Sequence, residues 1–563
     1  MQTQQEKEGT KMKNFRYIVT LVFGLLAFTA YSQEEGQLEE SEIVIRKDRK
    51  ITLPPATRNF EKIPQLPVQK AQSQQTYTFH EYVLSLTPIQ PNFRAVNLTI
   101  NQKEKAITGN YFKLGYGNYG TLLGEAYLGS TRNPNYLYNL YIRHRSSAKG
   151  PVFDKNSGDA KTDVVLGGKF FNGTNTISGD IQYGERKVHF YGYNPALDLT
   201  PDLVERKFNS FTARAGVEKT ALDEVTTYHF KTDWNFFRDN FEAKESRFNF
   251  DLGLGYKFSE ELRFKVGGQV TFSSKEDTEK IGRNFYNAKP RLEYATRSFK
   301  INVGANLAGD NDDLTQITTV AKDGFKVYPY ARLDINPTSS INIYGGYQGD
   351  LEYNSFQSFS GENAFLQKDF ILLNTDKESD IFAGINLDLT NGVRLNAGLS
   401  MASIQRMPFF TNSITDSTRF EVLYDNDAVD RTNVYGEVVF EKTESVRSGL
   451  RFDYFDYTLS ALADPYHKPQ YQAVFNNIFY PISGLKVTAD LYYMGGLVGL
   501  NRESSTRVEM DDIIDMNLGG DYDLNNKISV FLQFKNVFGK EYERYLNYPS
   551  RGIQVLGGIT VSF

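Results

Sequence analysis

The sequence predicts an all-β protein: a transmembrane antiparallel β-barrel of about 22 strands whose closing strand ends in phenylalanine. Three observations carry this. Apolar residues recur at every second position through segments about ten residues long, the period of a strand with one face in lipid and one in water. Short turn-forming connections alternate with long polar ones. The last 12 residues, Gly552 to Phe563, put Ile553, Val555, Ile559, Val561 and Phe563 on one parity, with Gly557 the only gap, and stop on a bare aromatic.

Composition agrees with these patterns and removes several function classes. The chain has 563 residues, with Tyr 36, Phe 42 and Gly 45 but Trp 1. A chain so aromatic that still carries 23% charged residues suits a wall wet on one side only. A net charge of -5 leaves no basic stripe to replace counterions along a phosphate backbone, so nucleic acid is not an expected partner. With Cys 0 there is no disulfide framework and no thiolate metal site.

Taken in order, residues 1–32 read as a signal peptide. Lys11, Lys13 and Arg16 precede the apolar run Tyr17 to Ala30, and Ala30-Tyr31-Ser32 before Gln33 has the small-x-small shape of a cleavage site. That run is shorter than the roughly 20 residues a helical span needs, so an exported membrane form must be a closed barrel. Residues 33–109 read as an extended periplasmic or lumenal segment. Glu34, Glu35, Glu39, Glu40 and Glu42 make it acidic, and Pro54, Pro55, Pro64, Pro67, Pro88 and Pro91 deny it long helices and central strands. Within it Glu42, Ile43, Val44 and Ile45 form a short β-like piece able to pair with a partner's sheet edge.

Residues 110–563 carry the barrel pattern. Leu262, Phe264, Val266, Val270 and Phe272 alternate with Arg263, Lys265, Gln269, Thr271 and Ser273, and the same split recurs from Phe299, Val393 and Leu485 onward. Charged residues are expected on the inner face only, among them Arg143, Arg145, Arg263, Lys265, Arg394, Arg447, Arg451, Asp453 and Asp490. Tyr492, Tyr493, Phe479 and Tyr480 are expected in the interfacial aromatic girdles. Tight hairpins are expected at Ser259 to Glu261, Thr390 to Gly392, Pro481 to Gly484 and Asn525-Asn526. Longer loops are expected at 147–160, 192–207, 275–284, 309–324, 352–378, 404–432, 458–468, 496–511 and 537–551, with Thr418 to Tyr424 a loop excursion. The even strand count returns both termini to the periplasm.

The closing stretch Phe534-Lys-Asn-Val-Phe-Gly-Lys-Glu-Tyr-Glu-Arg-Tyr-Leu-Asn-Tyr-Pro-Ser-Arg-Gly, followed by Val555 to Phe563, resembles the last two strands of TonB-dependent outer-membrane receptors. Asn536, Phe538, Lys540, Tyr542, Pro549, Arg551 and Phe563 match the family's pattern. Asn110 to Tyr119, with Tyr141 to Ser147, is similar to a plug-poor group of such barrels from Bacteroidota. The resemblance implies an outer-membrane location and a 22-stranded barrel working in nutrient uptake. It implies a final strand, Ile559, Val561 and Phe563 above all, read by the barrel-assembly machinery. It also implies a TonB-gripped box, for which Glu42 to Ile45 is the candidate. The Pro-rich segment 33–109 departs from the family's larger, Gly-rich plug, which points to a reduced or absent plug. The lumen must then be blocked by that segment, by inward-folded loops, or by a protein partner. The alternative function is a non-transporting subunit of a multiprotein outer-membrane complex for protein assembly or export.

Catalysis has no support, because His80, His144, His189, His229 and His467 are scattered and form no triad spacing. Two acidic stretches, Asp310, Asp312 and Asp313, and Asp425, Asp427 and Asp430, have the carboxylate density that suits calcium, and otherwise read as solvated loops. No other cofactor is expected.

Overall fold

The computed structural model describes residues 109–563 apart from 131–132, 195, 220–224, 313–323, 390–391, 443–444 and 503–504. The expected signal peptide at 1–32, the segment 33–109 up to its last residue, the candidate box Glu42 to Ile45, His80 and Asp313 lie outside the described residues.

Among the described residues, 22 strands form one antiparallel sheet that closes on itself. They are β1 (Tyr111–Gly117), β2 (Thr121–Gly129), β3 (Tyr136–Ser147), β4 (Asp159–Asn172), β5 (Asn175–His189), β6 (Glu205–Lys219), β7 (Thr226–Asp239), β8 (Lys244–Lys257), β9 (Leu262–Glu276), β10 (Lys280–Ala295), β11 (Phe299–Asp310), β12 (Lys326–Thr338), β13 (Ile341–Glu352), β14 (Thr375–Asp388) and β15 (Val393–Gln405). The wall continues with β18 (Val429–Lys442), β19 (Val446–Thr458), β20 (Tyr471–Ile482), β21 (Leu485–Gly495), β24 (Ile513–Asp523), β25 (Ile528–Lys535) and β28 (Gln554–Ser562). Three small hairpins sit in the loops: β16 (Phe409–Asn412) with β17 (Phe420–Leu423), β22 (Val498–Asn501) with β23 (Thr506–Glu509), and β26 (Glu543–Tyr545) with β27 (Tyr548–Pro549). The excursion expected at Thr418 to Tyr424 is thus a loop hairpin and no part of the wall.

Burial is inverted relative to a soluble sheet. On β9, Phe264 and Phe272 are 38% and 47% exposed, while Thr271 and Ser273 on the opposite parity are 0% and 8%. The apolar face turns outward to lipid and the polar face inward, as the period of two requires. Inside, the expected cations find acids: Arg451 with Asp453 at 2.7 Å, and Lys265 and Lys300 with Glu293 at 3.2 and 2.8 Å. Long loops gather at one end, which by the barrel convention is extracellular, and both β1 and β28 meet the short-turn end with their outer termini.

The barrel closes where β1 pairs with β28, Phe112 opposite Val561 and Leu114 opposite Ile559. The Phe563 amide donates to the Asn110 carbonyl at 3.0 Å, and its ring stacks on Phe112 at 5.5 Å. Ile559, Val561 and Phe563 all face outward. Inside the seam Leu123, Phe531 and Leu556 pack together, with the Lys113 ammonium 4.0 Å from the centre of the Phe531 ring. Gly558 lets the strands meet, for a Cβ there would stand 2.0 Å from the Leu114 carbonyl oxygen.

Three expectations need correction. Residues 275–284 are not a long loop, since β9 runs to Glu276, β10 starts at Lys280, and one tight turn joins them. Above the bilayer both faces are wet, so strand pairing persists without apolar alternation. For the same reason charge is not confined to the inner face. On the outer wall Glu185 pairs with Lys207 at 2.9 Å, Lys187 with Glu205 at 2.7 Å and Lys244 with Glu276 at 2.8 Å. The 15-residue strands β5 and β6 overshoot the roughly 9–11 residues that cross hydrocarbon. Finally, Tyr492 belongs to no girdle, because its register opposite the buried Asp515 turns it into the lumen.

Deleting Phe563, or placing Val at Gly558, is expected to lower the amount of folded, heat-modifiable barrel in the membrane fraction while export continues. Wild-type levels of folded barrel after the deletion would refute an assembly role for Phe563.

Candidate functional site

A barrel wall that is apolar outside and polar inside has only small apolar clusters of its own, such as Leu123, Phe531 and Leu556. Here the core is made by loops. Residues 353–374 begin with a helix, Phe356–Glu362, whose start is fixed by a capping box in which Ser355 and Ser358 each accept from the other's backbone amide at 2.9 Å. Phe356, Phe359, Leu366, Phe370, Leu372 and Leu373 from this loop are buried against Phe208 and Phe237 on the inner faces of β6 and β7. They also meet Phe410, Phe420, Val422 and Tyr424 from 406–428, and Tyr545 and Tyr548 from 536–553. Each fully buried aromatic or Leu contributes about 1.5–3 kcal/mol, so the loops form a stopper rather than a fringe. Of the three ways to block the lumen, inward-folded loops are the one seen among the described residues.

Buried charges rivet the stopper to the wall. Arg206 on β6 is 1% exposed, pairs with Asp239 at 2.8 Å, and donates to the carbonyls of Ala364 and Leu366 in the loop. Arg283 on β10 holds Asp312 at 2.9 Å, the Asn374 side chain at 2.8 Å and the Asn354 carbonyl at 2.7 Å. Asp312 accepts from the Asn374 amide at 2.7 Å, and Asp310 from the Asn374 side chain at 2.9 Å, with Arg406 at 4.0 Å.

These contacts redefine the two acidic stretches. Asp310, Asp312 and Asp425 are buried instead of solvated, and their oxygens are engaged by protein donors. Asp425 accepts from the amides of Ser460, Ala461 and Leu462 at 2.6, 2.8 and 3.0 Å. Burial opposes its ionisation, but these amides outweigh burial and hold the carboxyl below its ordinary range. Asp427 and Asp430 are exposed. Among the described residues no group of three or more His, Cys, Asp or Glu side chains is placed to hold a metal ion.

His467 joins three loops. It is fully buried; its Nδ1 donates to the Phe410 carbonyl at 2.7 Å and its Nε2 accepts from the Leu546 amide at 3.2 Å. Burial drives its pKa from 6.5 down to about 3, and nearby Arg544 and Lys468 push the same way. The other described histidines serve the wall: His144 contacts Thr162 at 2.8 Å, His189 the Gly158 carbonyl at 2.6 Å, and His229 Asp251 at 2.8 Å.

The residues that carried the family resemblance lock 536–553 in place. Asn536, in a left-handed conformation, donates to the carbonyls of Lys540 and Arg551 at 2.8 and 2.7 Å. Tyr542 donates to Asp515 at 2.5 Å. Arg551 crosses to the loop 148–158, donating to the Lys149 carbonyl at 3.1 Å and pairing with Asp159. Arg206 and Arg283 carry no sequence signal of their own, and His467 stands in the sequence only as one of five scattered histidines. The only available signal for them was indirect: Phe356, Phe359, Phe365 and Phe370 make 353–374 too aromatic for a solvated loop.

By sequence, no family model and no curated protein matches the chain. Among solved structures the fold is similar to the FrpB iron transporter from Neisseria meningitidis, with TM-score 0.63 and 8% identity, covering 81% of this chain and 81% of that one. It is also similar to the ferripyoverdine receptor of the outer membrane of Pseudomonas aeruginosa bound to ferripyoverdine, with TM-score 0.60, 11% identity and 81% and 71% coverage. A third match is the ferric-catecholate import receptor Fiu from K12 E. coli, with TM-score 0.59, 12% identity and 81% and 82% coverage. At these identities the likeness is one of fold, a barrel shared with these transporters and receptors, and the outward apolar belt marks the wall as membrane-spanning.

Arg206→Met leaves Asp239 charged and buried without its partner, at a cost of about 3–5 kcal/mol. Amides of residues 356–370 are then expected to exchange with solvent faster while those of the wall do not, and unchanged exchange would deny Arg206 its anchoring role. His467 gives a pH signature. With its native pKa depressed, its contribution is complete above pH 6.5 and is lost as pH falls toward 3, because only the opened state takes up the proton. Between about pH 7.5 and about pH 5 the free energy of loop opening is expected to fall by about 2 kcal/mol more in the native protein than in His467→Gln. Hydrogen exchange of 406–412 measures this, and equal falls would exclude the histidine.

Proposed function

We propose that this chain is an outer-membrane receptor that takes up a scarce nutrient, captured by its extracellular loops and admitted to the lumen when the loop stopper gives way. The observation that carries the reading is the stopper itself. A 22-stranded wall encloses a lumen wide enough to leak, and here the long loops build a packed closure at the outer mouth, where a ligand arrives first. The receptor fold supports the same reading. Below the stopper the inner wall is polar and solvent-accessible, as at His229 with Asp251 and Arg214 with Asp180, which suits a hydrated path. Uptake against a gradient needs an energy source, and in this reading Glu42 to Ile45 offers TonB a strand edge. The iron and ferripyoverdine named for the similar structures make chelated iron the first nutrient to try.

A deletion strain is expected to grow more slowly than its parent on at least one limiting nutrient in a panel that includes chelated iron, with growth restored by the intact gene. Growth equal to the parent on every nutrient, together with recovery of the chain in a stoichiometric protein complex after mild detergent extraction, would replace uptake with the assembly-subunit reading. Replacing residues 356–370 by a short Gly-Ser linker is expected to let large antibiotics enter the cell. Unchanged resistance would mean that the stopper is not the closure.

A further inference from the structure

One buried acid that touches the stopper is held unlike the others. Glu245 lies at the outer end of β8, beside the Lys244–Glu276 pair that stands above the bilayer, and it is 0% exposed. Its Oε2 accepts from the Gln357 amide at 3.5 Å, with the Phe356 amide close by, and its Oε1 has no hydrogen-bond partner. By contrast Asp239 and Asp312 each have a guanidinium, at 2.8 and 2.9 Å, and Asp425 accepts from the amides of Ser460, Ala461 and Leu462 at 2.6, 2.8 and 3.0 Å.

The charged groups around Glu245 are engaged elsewhere. On β9 Lys275 stands directly across from it, yet the ammonium turns to the Phe370 carbonyl at 3.5 Å and to Asp277 at 3.9 Å. On β10 Arg283 is committed to Asp312, and on β8 itself Arg247 lies 3.5 Å from Asp233. On β7 Asp239, two places beyond the Phe237 that faces Glu245, belongs to Arg206. From the loop comes the Tyr353 phenol, whose hydroxyl donates to Ser273 at 2.8 Å. A carboxylate sealed from water with one long amide contact loses its hydration without replacement, whereas the same group carrying a proton has little to lose. Burial accordingly raises the Glu245 pKa above the ordinary value of 4.5, and the two amides with Arg283 and Arg247 offset this only in part.

We propose that Glu245 is a proton-operated latch: it carries a proton while the stopper is shut and yields it to water when residues 353–374 lift away, so that rising pH favours opening. Shut, the neutral acid lies against the start of the helix Phe356–Glu362. Lifting the helix wets the carboxyl; its O–H bond breaks, the proton passes to solvent and the carboxylate remains. The sign follows from an acid whose pKa is raised when covered. Its contribution to closure is complete below pH 4.5 and is lost as pH rises through the value it has in the shut state. His467 acts with the opposite sign, because it takes up a proton on opening. The latch rests on the packing of the stopper alone and stands whatever the barrel carries.

The test is hydrogen exchange of the 356–370 amides in the purified full-length protein in detergent, at about pH 5 and about pH 7.5, corrected for the intrinsic pH dependence of exchange. The comparison is with Glu245→Gln, which keeps an acceptor for the Gln357 amide and cannot ionise. The opening constant of the native protein, divided by that of the variant, is expected to rise at least about fivefold over this interval, since release of one proton gives up to about tenfold per pH unit. The division removes the His467 contribution, which both proteins share. Glu245→Asp still ionises and is expected to keep the pH dependence. At about pH 7.5 Glu245→Gln is expected to stay shut at least as firmly as the native protein. A ratio that does not change with pH, loss of the dependence in Glu245→Asp, or readier opening of Glu245→Gln at about pH 7.5 overturns the latch. A rising ratio in a chain whose deletion gives no growth defect keeps the latch and removes uptake; a growth defect with a flat ratio does the reverse.

Discussion

The rest of the structure depends on one constraint: in hydrocarbon every backbone amide and carbonyl must find its partner within the protein. A sheet meets that demand only by leaving no edge, so β1 and β28, the first and last strands of the wall, have to find each other. Their meeting is close enough that Gly558 tolerates no side chain, and the terminal Phe563 is held to Asn110 and Phe112. The inside-out burial follows from the same medium, since lipid receives the apolar face and water the polar one.

Closing a sheet of this size creates a second problem, an open mouth, and the wall turns only a few apolar residues toward it, Phe208 and Phe237 among them. The solution is to place the hydrophobic core in the connections. Aromatic side chains from loops far apart in sequence meet over the lumen, while Arg206 and Arg283 reach from the wall to hold them by backbone carbonyls and buried carboxylates. Buried ion pairs are poor sources of net stability, but they are selective about geometry, because a guanidinium left without its acid is costly. That selectivity fits a closure that must sit in one position when shut.

Much of the wall was legible because its signal is local. The period of two, the Gly and Asn turns and the apolar parity of Ile559, Val561 and Phe563 can be read in windows of a few residues. The stopper was not legible because its partners are distant. Phe356 and Phe420 have no periodic relation, and nothing near Asp310 and Asp312 announces that Arg283, Arg406 and Asn374 will surround them. The overestimate at 275–284 has a different origin. There the local pattern is polar apart from Ile281 and Gly282, and polarity alone does not separate a loop from a strand that has risen above the membrane. Tyr492 was misread for a third reason: an aromatic near a strand end suggests a girdle, and only its parity with Asp490 shows that it turns inward.

The stopper also has a place in time. Its contacts are far from local: Arg206 reaches Leu366 across 160 positions, and Tyr545 reaches Glu362 across 183. Contacts of such high order pay their loop-closure entropy late, after neighbouring strands have zipped together turn by turn. The mouth therefore shuts after the strands it bridges have paired with their neighbours, and until then Phe356, Phe359 and Phe370 travel uncovered. A chain caught before its mouth shuts is thus recognisable by its exposed aromatic loops.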